Sequence, residues 1–433
     1  MPDTASEPGL AASGWFSRCL RCAESFPLGE HSGGCARCAR EGVGVPVVPV
    51  PTTYQRAASP GGARPGTMWA HAGLLPVEGE QRPVSLGEGS TPLLDLGGLL
   101  DLGGLLADPV PENAGPGGFV PENAVLFKDE RANPTGSFKD RLYSAALTRA
   151  REIGASTVAL ASSGNAGLSA AAYAAAAGLD CTVLSTPDIP GPTVAGLESF
   201  GARLLVTDTD TDRWRALTTG VDELGWYPLT NYRTPPVASN VFGVHGYRTI
   251  AYEIADELGG EAPDWMVVPV SRGDALHGIW AGFAEMVELG LVDRVPRLLA
   301  VERFPSLTGA LERGREQPEA VESTGPVQAH SIGSRQGTYM AVRALRESGG
   351  FALACDDAEL WSAWRRFARA GLLIELASAA ALVGLDALRE RELLADGARA
   401  VLLGTGNAFT QATLPPTGEL TRIEDPSDPS ELA

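Results

Sequence analysis

The stretch TVALASSGNAGLSAAAYAAAAGLDCTVLS at residues 157–185 predicts a strand, a helix and a second strand in succession. Residues 157–161 form a short apolar run, residues 165–177 are rich in alanine, and residues 181–185 return to strand character. Two strands joined by a helix of this length pair in parallel within one sheet. The stretch therefore predicts a parallel sheet covered by helices.

The same alternation of strands and helices continues through most of the chain. Further strands are predicted at residues 203–207, 265–270, 297–301, 351–354 and 400–403. Further helices are predicted at residues 137–152, 246–257, 275–289, 336–348, 357–370 and 377–392. This pattern indicates the α/β class, with parallel sheets and helices on both faces. Ligands of such sheets bind beyond the carboxyl ends of the strands, so the loops that follow the strands are the candidate site.

The charge and length of the chain exclude several classes of protein. The 433 residues include 34 Lys and Arg but 53 Asp and Glu, a net charge of −19. An acidic surface repels phosphate backbones, so we expect no nucleic-acid partner. Residues 1–15 lack a basic flank and an apolar core, and no run of eighteen apolar residues occurs. We therefore expect a soluble, cytoplasmic protein with no membrane partner.

Four of the six cysteines form two CxxC pairs separated by twelve residues. Two such pairs can place four thiolates around one zinc ion, and a closed site of four cysteines is structural rather than catalytic. The alternatives are two local disulfides, which a cytoplasmic chain disfavours, or unpaired thiols. We predict a structural zinc ribbon at residues 14–42, with the ligands Cys19, Cys22, Cys35 and Cys38. Cys181 and Cys355 stand in apolar segments and are expected to be buried.

Two segments near the ribbon show no strand or helix pattern. Residues 43–67 are rich in Pro, Gly and Val and are interpreted as an extended linker. A different composition begins at about Met68. Within it, LLDLGG occurs at 93–98 and 99–104, and VPENA at 110–114 and 120–124. These repeats are too short for solenoid units, so residues 95–122 are interpreted as an expanded surface loop.

The loop NPTGSFKDR at residues 133–141 contains a candidate reactive lysine, Lys139. Ser137 is a plausible N-cap, which places Lys139 in the first turn of a helix. The positive end of the helix dipole and the neighbouring Arg141 both disfavour an ammonium there. A lysine with a lowered pKa can form a Schiff base. The alternative is an ordinary solvated lysine.

Three further loops follow predicted strands and offer small or polar residues. SSGNAG at 162–167 would let backbone amides approach an anion at a helix start, or is only a tight turn. SRGDA at 271–275 could cradle a phosphate with its amides, although Asp274 is adverse there unless it points away or caps the helix. GTGN at 404–407 places a hydroxyl, that of Thr405, after the last strand.

Taken together, these motifs resemble those of threonine synthase and its relatives. LGEGSTPL (86–93), NPTGSFKDR, SSGNAG, the strand and loop at 266–275, and TGN (405–407) occur in the order found in that family. The resemblance implies a pyridoxal-phosphate enzyme of fold type II, the fold that also contains tryptophan synthase β. It implies two α/β subdomains, each centred on a parallel sheet, with the cofactor between them. The catalytic unit would span 68–425, with a smaller inserted subdomain at about 150–250, and the protein would be a homodimer.

The resemblance also implies roles for individual residues. Lys139 would hold the cofactor as a Schiff base and move protons, with Phe138 against the cofactor ring. Asn165 would bind the cofactor's phenolic oxygen, and Thr405 would face the pyridine nitrogen. The cofactor phosphate would be bound by the amides of Ser271, Arg272, Gly273, Asp274 and Ala275. The anionic groups of a small amino-acid substrate would be met by Ser162, Ser163 and Asn165, with Lys128 and Arg141 as weaker candidates that are otherwise solvated charges.

Several motifs depart from the family pattern near the site. The phosphate loop SRGDA has one glycine in five positions, ELASA (375–379) replaces an EPASA-type motif, and TGNAFTQ replaces TGxGLKD. Three functions therefore stay open. The first is elimination of phosphate from O-phosphohomoserine and addition of water to give threonine. The second is β-elimination or β-replacement on serine, threonine or an activated analogue. The third is a cofactor-binding or interaction protein without catalysis.

Overall fold

The computed structural model describes residues 10–56, 66–77, 82–97, 124–322, 325 and 327–410. These residues form three sheets and the helices that cover them. The strands are β1 Leu10–Cys19, β2 Ser25–Pro27, β3 Val47–Arg56, β4 Leu93–Asp95, β5 Val125–Asp129, β6 Thr157–Ala161, β7 Asp180–Ser185, β8 Arg203–Val206, β9 Tyr227–Pro228, β10 Trp265–Val270, β11 Arg297–Glu302, β12 Phe351–Ala354 and β13 Ala400–Gly404. The α-helices are α1 Ala36–Arg40, α2 Lys139–Glu152, α3 Asn165–Ala177, α4 Gly191–Ser199, α5 Asp210–Leu224, α6 Val241–Gly246, α7 Arg248–Glu257, α8 Asp274–Glu288, α9 Ser306–Glu312, α10 Tyr339–Glu347, α11 Asp357–Arg369 and α12 Ala380–Glu390. Short 3-10 helices lie at Met68–Leu74, Glu130–Ala132, His330–Ile332, Leu376–Ala379 and Ala408–Thr410.

The largest sheet has six strands in the order β12-β11-β10-β13-β5-β4. All its pairs are parallel except β4 with β5. Along β10 the side chains alternate between two cores: Met266 and Val268 pack on one face, and Trp265 and Val267 on the other. Both faces are thus buried by helices, as the continuous apolar strands predict.

The second sheet has four parallel strands in the order β8-β7-β6-β9. Its strands run from residue 157 to residue 228, between β5 and β10 in the chain. The stretch 157–185 forms the predicted strand, helix and strand, and Gly178 ends α3 in the left-handed conformation that glycine adopts without strain. The prediction of an α/β fold with parallel sheets is confirmed.

The third sheet is antiparallel, with the order β2-β1-β3, and belongs to the N-terminal segment. The interpretation of residues 43–67 as an extended linker is wrong for residues 47–56, which form β3 and pair with β1 from Cys19 back to Leu10. The alternation of Val and Pro in this strand disguised it, because proline is rare in sheet interiors. The sheet thus spans more of the chain than the predicted ribbon at 14–42.

Two other sequence predictions are affected by the described structure. Helix α2 begins at Lys139, and no side chain caps it. Ser137 instead forms a β-bridge with Gly406 and is not an N-cap.

Most of the repeated segment 95–122, and residues 411–425 at the end of the predicted catalytic unit, lie outside the described residues. Among the described helices, none combines the length and apolar character needed to cross a membrane.

Candidate active site

A cavity of about 1040 Å³ is lined in part by loops that follow strands of the four-stranded and the six-stranded sheets. The loops after β6 and β10 both open into it, at the carboxyl ends of their strands. Of the residues predicted for the site, the cavity walls include Lys139, Ser162, Ser163, Asn165, Ser271, Arg272 and Asp274. The structure therefore brings together the loops that the sequence marked separately.

Lys139 stands at the start of α2 with its amine in a mostly aromatic setting. Its Nζ lies 3.9 Å from the centre of the Phe138 ring and donates to the hydroxyl of Tyr247 at 3.4 Å. The rings of Phe138 and Tyr247 stack with their centres 5.2 Å apart, and the Lys139 amine lies over both rings. Burial lowers the pKa of Lys139, while the carboxylates of Asp274 and Glu375 oppose that shift. The lowered pKa agrees in direction with the prediction from the sequence. Its largest cause, however, is burial of the amine, and the charge of Arg141 is not among its causes.

The loop at 271–275 joins β10 to the fifteen-residue helix α8. None of its five backbone amides donates a hydrogen bond to another described residue. Gly273 has a φ of +102°, and a Cβ there would lie 2.3 Å from Cβ of Ala341. The loop thus needs glycine at this position, and its amides at a helix N-terminus suit an anion.

Asp274, the adverse residue of this loop, is held away from the amides. Its carboxylate accepts hydrogen bonds from the backbone and the hydroxyl of Ser239, at 3.0 and 2.9 Å. This contact directs the carboxylate of Asp274 toward Ser239, which makes the loop compatible with an anion.

The loop at 162–167 is braced by its own serines. Ser162 Oγ accepts from the amides of Gly164 and Gly167, at 3.2 and 2.9 Å. Ser163 Oγ lies 2.8 Å from Ser185 Oγ and accepts from Arg213 at 3.1 Å. Ser162 therefore shapes the turn, whereas Ser163 connects it to a cation in the cavity wall.

Glu375, to which the sequence analysis gave no role, is the centre of a buried polar network. Its carboxylate accepts from Thr405 Oγ1 at 2.6 Å, Ser331 Oγ at 2.8 Å and Asn165 Nδ2 at 3.0 Å. Burial raises the pKa of Glu375. Thr405 also lies 2.7 Å from Ser378 Oγ, so its hydroxyl is enclosed, and Glu375 is the group that reaches the cavity.

The backbone of the GTGN loop explains how these residues meet. The carbonyl of Thr405 accepts from the amide of Phe138, beside Lys139, at 3.0 Å. The carbonyl of Gly406 accepts from the amide of Glu375 at 2.8 Å. One short loop after β13 thus joins segments that are more than two hundred residues apart.

Lys128 and Arg141 are not brought to the cavity, and their assignment to substrate anions is corrected. Arg141 is fully buried and makes paired hydrogen bonds with both Glu130 and Glu253, at 2.6 to 2.7 Å. Lys128 is also buried and pairs with Glu253 at 3.0 Å and Glu257 at 2.5 Å. Their charges are neutralised within the core, which leaves none for a substrate.

Two arginines that reach the cavity take the place of that pair. The guanidinium of Arg272 lies 4.4 Å from the centre of the Trp214 ring, and that of Arg213 lies 5.8 Å from it. Arg213 pairs with Asp210 at 2.8 Å, but no carboxylate in the described part of the chain lies within 4 Å of the Arg272 guanidinium. Burial and the charge of Arg213 lower the pKa of Arg272. Arg213 was missed because α5 was not predicted.

The four cysteines of the CxxC pairs converge at one point. All four sulfurs lie within 4.8 Å of one another, with Cys19 to Cys38 and Cys22 to Cys35 each at 3.7 Å. A tetrahedral ion with metal–sulfur bonds of about 2.3 Å would separate its sulfurs by about 3.8 Å. The spacing therefore fits a metal ion, and Cys181 and Cys355 are buried elsewhere.

The cavity also fits the cofactor that the resemblance implies. It offers an amine with a lowered pKa, five amides at a helix N-terminus, and the amide of Asn165 with the carboxylate of Glu375. Ser137 Oγ, next to Phe138, is buried without a hydrogen-bond partner among the described residues. An aldehyde with a phosphate and a polar ring matches this donor set.

The family model for pyridoxal-phosphate dependent enzymes matches residues 84–406. The chain is 30% identical to threonine synthase of Methanocaldococcus jannaschii, with 79% of this chain and 80% of that protein covered. It is 34% identical to threonine synthase of Synechocystis (79% and 83% covered) and 33% identical to that of Mycobacterium tuberculosis (80% and 88%).

Solved structures show the same fold at lower identity. An L-serine ammonia-lyase from Rhizomucor miehei superposes with a TM-score of 0.60 at 21% identity, covering 75% of this chain and 95% of that one. Diaminopropionate ammonia lyase from Escherichia coli gives 0.60 at 16% identity, with 75% and 86% covered. The family match over most of the chain, together with the threonine synthase relatives, shows that this chain belongs to the pyridoxal-phosphate dependent enzymes and is a threonine synthase-like lyase.

Proposed function

We propose that the protein eliminates phosphate from O-phospho-L-homoserine and adds water to give threonine. The observation that carries this choice is the pair of guanidinium groups, Arg213 and Arg272, in the same cavity as Lys139. Arg213 has Asp210 as a partner, but Arg272 has no carboxylate within 4 Å in the described part of the chain, and such a cation is costly in a cavity unless an anion joins it. A substrate with a phosphate supplies that anion, and guanidinium groups bind phosphate well. The threonine synthase relatives support the same choice.

Different residues of the cavity have separate roles in this reaction. Pyridoxal phosphate, when bound, supplies the electron sink for carbanion chemistry. Lys139 holds the cofactor and moves protons at the substrate's Cα and then at Cβ, tasks for which a lowered pKa is suited. The amides of residues 271–275 bind the cofactor phosphate, and Ser239 keeps the carboxylate of Asp274 off that anion. Glu375 orients Asn165 and Thr405.

We further propose that Cys19, Cys22, Cys35 and Cys38 bind a structural zinc ion. The sulfur spacing of 3.7 Å supports this proposal over two disulfides. Four protein ligands complete a tetrahedral site, so no position is left for a substrate. A homodimer and a cytoplasmic location stay predictions from the sequence.

The proposed reaction is tested by incubating cofactor-loaded protein with O-phospho-L-homoserine while phosphate and threonine are measured together. We expect equal amounts of both products. If a cofactor-loaded preparation releases no phosphate, the proposal fails. The next substrates are then serine, threonine and their O-phospho and O-acetyl forms, which test β-elimination and β-replacement. Protein that never takes up the cofactor would favour the non-catalytic alternative.

Replacing Arg213 with glutamine is expected to weaken binding of the phosphorylated substrate. A hydrogen bond to a charged group contributes about 1.5–3 kcal/mol, so KM should rise about 10- to 150-fold. The matched control is Arg215→Gln on the same helix, since the Arg215 side chain is 72% exposed and pairs with Asp212, its one ion-pair partner among the described residues. An equal KM in the two variants would show that Arg213 does not bind the substrate anion.

A further inference from the structure

The four-cysteine module, residues 14–46, contacts one side of the substrate cavity. We call residues 231–239 the first wall, because six of them line the cavity. Ser32 Oγ of the module lies 2.9 Å from the hydroxyl of Tyr232. Gly34 and Gly44 pack so closely on the first wall that a Cβ on either would approach Val237 or Pro236 to less than 3 Å. The module thus supports this wall from behind.

The same module also contacts the chain that leads into a second run of the cavity lining. We call residues 316–322 and 327–336 the second wall: residues 320–322, 327–331 and 333–336 line the cavity, and residues 316–319 lead into that lining. Arg21 pairs with Glu316 at 2.9 Å, and the amide of Gly44 donates to Gln317 Oε1 at 2.9 Å. Tyr339, just beyond this wall, packs with the cysteine sulfurs in one cluster. Both walls therefore rest on one small module.

Gly44 is the point at which the cysteines and the two walls meet. The residues on either side of it are bonded to metal-ligand positions: the amide of Val43 donates to the carbonyl of Cys38 at 3.1 Å, and the carbonyl of Val45 accepts from the amide of Cys35 at 2.9 Å. Gly44 itself contacts Pro236 of the first wall and Gln317 of the second. Gly44 is thus flanked by residues bonded to the cysteine segments and itself contacts both walls.

The first wall is in turn connected to the loop that would bind the cofactor phosphate. Ser239, its last residue, donates twice to the carboxylate of Asp274. Asn231, its first residue, accepts from the amide of Val237 at 2.9 Å and so holds the wall in one arc. The wall is thus a single hydrogen-bonded unit between the module and the start of α8.

We propose that metal binding by the four cysteines positions both walls of the substrate cavity, with Gly44 as the positioning residue. The cluster then controls the shape of the active site, and release of its metal or oxidation of its thiols would loosen the substrate side of the cavity. This proposal rests on the metal binding proposed above and not on the identity of the substrate.

Amide hydrogen exchange of the cofactor-loaded full chain, with zinc bound and after removal by a chelator, tests this coupling. Contacts of this kind contribute about 0.5–1.5 kcal/mol each, so exchange in both walls should become about two- to tenfold faster. Exchange in α12, which packs against β10, β11 and β13 of the large sheet, should not change. Faster exchange that stays within residues 14–46 would overturn the proposal. No substrate is present, so a failed assay with O-phospho-L-homoserine has no bearing on this result.

If removal of zinc unfolds the chain, the coupling can still be tested with a variant that keeps all four cysteines. Gly44→Ala places a methyl group 2.6 Å from the Pro236 carbonyl oxygen, so the first wall must move. Gly29→Ala is the matched control in the same module, because its methyl group finds no atom closer than 3.8 Å. With zinc and cofactor contents equal to those of the unmodified protein, only Gly44→Ala should speed exchange in the walls. Equal exchange in the two variants would contradict the coupling.

Discussion

Replacing Lys139 with alanine is expected to abolish covalent attachment of the cofactor and to lower turnover by about 10³- to 10⁴-fold or more. Loss of a positioned general acid–base alone costs about 10²–10⁴ in rate, and here the same amine also holds the cofactor. Borohydride reduction of the loaded protein, followed by peptide mass spectrometry, measures the attachment. Turnover is measured with the substrate that the incubation experiment identifies.

The low number of lysines in the chain makes the site of cofactor attachment easy to assign. Lys128 and Lys139 are its only two lysines. Lys128 is buried and paired with Glu253 and Glu257, so it is unavailable to an aldehyde. The reduced adduct should be found on Lys139 alone, and Lys139→Ala should carry none although Lys128 is still present. An adduct on Lys128 in either protein would contradict the assignment.

Replacing Arg141 with methionine is expected to destabilise the protein by about 3–5 kcal/mol, because it leaves the buried carboxylate of Glu130 without a cation and that of Glu253 with Lys128 alone. Arg141 bonds Glu130 and Glu253 with four hydrogen bonds of 2.6 to 2.7 Å, all out of contact with solvent. The loss should appear as a lower urea midpoint and a lower Tm of the cofactor-loaded protein.

The matched control is Arg294→Met. Arg294 is 46% exposed and pairs with Asp264 and Asp293 at 3.2 Å, an arrangement worth about 0–1 kcal/mol. If Arg141 instead binds a substrate anion, Arg141→Met should raise KM and leave the urea midpoint almost unchanged. That outcome would restore Arg141 to the site.

The regular part of the fold is predictable from the sequence because hydrophobic pattern and length agree there. The strand and helix at 157–177 have their predicted bounds, as does β10. Helix α5 was missed because its exposed face is rich in charged and hydroxylic residues and only Leu217 and Gly220 are fully buried. Strand β3 was missed because two of its ten residues are proline.

The active site was predictable only where it lies on consecutive residues. Lys139 and the loops after β6 and β10 were marked by short local motifs, and the order of these motifs, which resembles that of the threonine synthase family, joined them into one candidate site. Arg141 stands next to the same lysine, but its partner Glu253 is more than a hundred residues further along the chain. Glu375 and Arg213 gain their roles from contacts with Asn165 and Ser163, which lie 210 and 50 residues away in the chain. A single sequence holds no signal for such pairs of distant residues.

The strand order of the large sheet has a consequence for synthesis of the protein. Strand β13 is the last strand of the described residues, but it lies between β10 and β5 and pairs with both. A nascent chain therefore carries two exposed inner edges, separated by a gap one strand wide, until the ribosome has released residues 400–404. Unpaired edges of apolar strands readily join other chains. The nascent chain is thus exposed to aggregation until residues 400–404 emerge, when helices α1 to α12 have already been made and the middle of the main sheet is still missing.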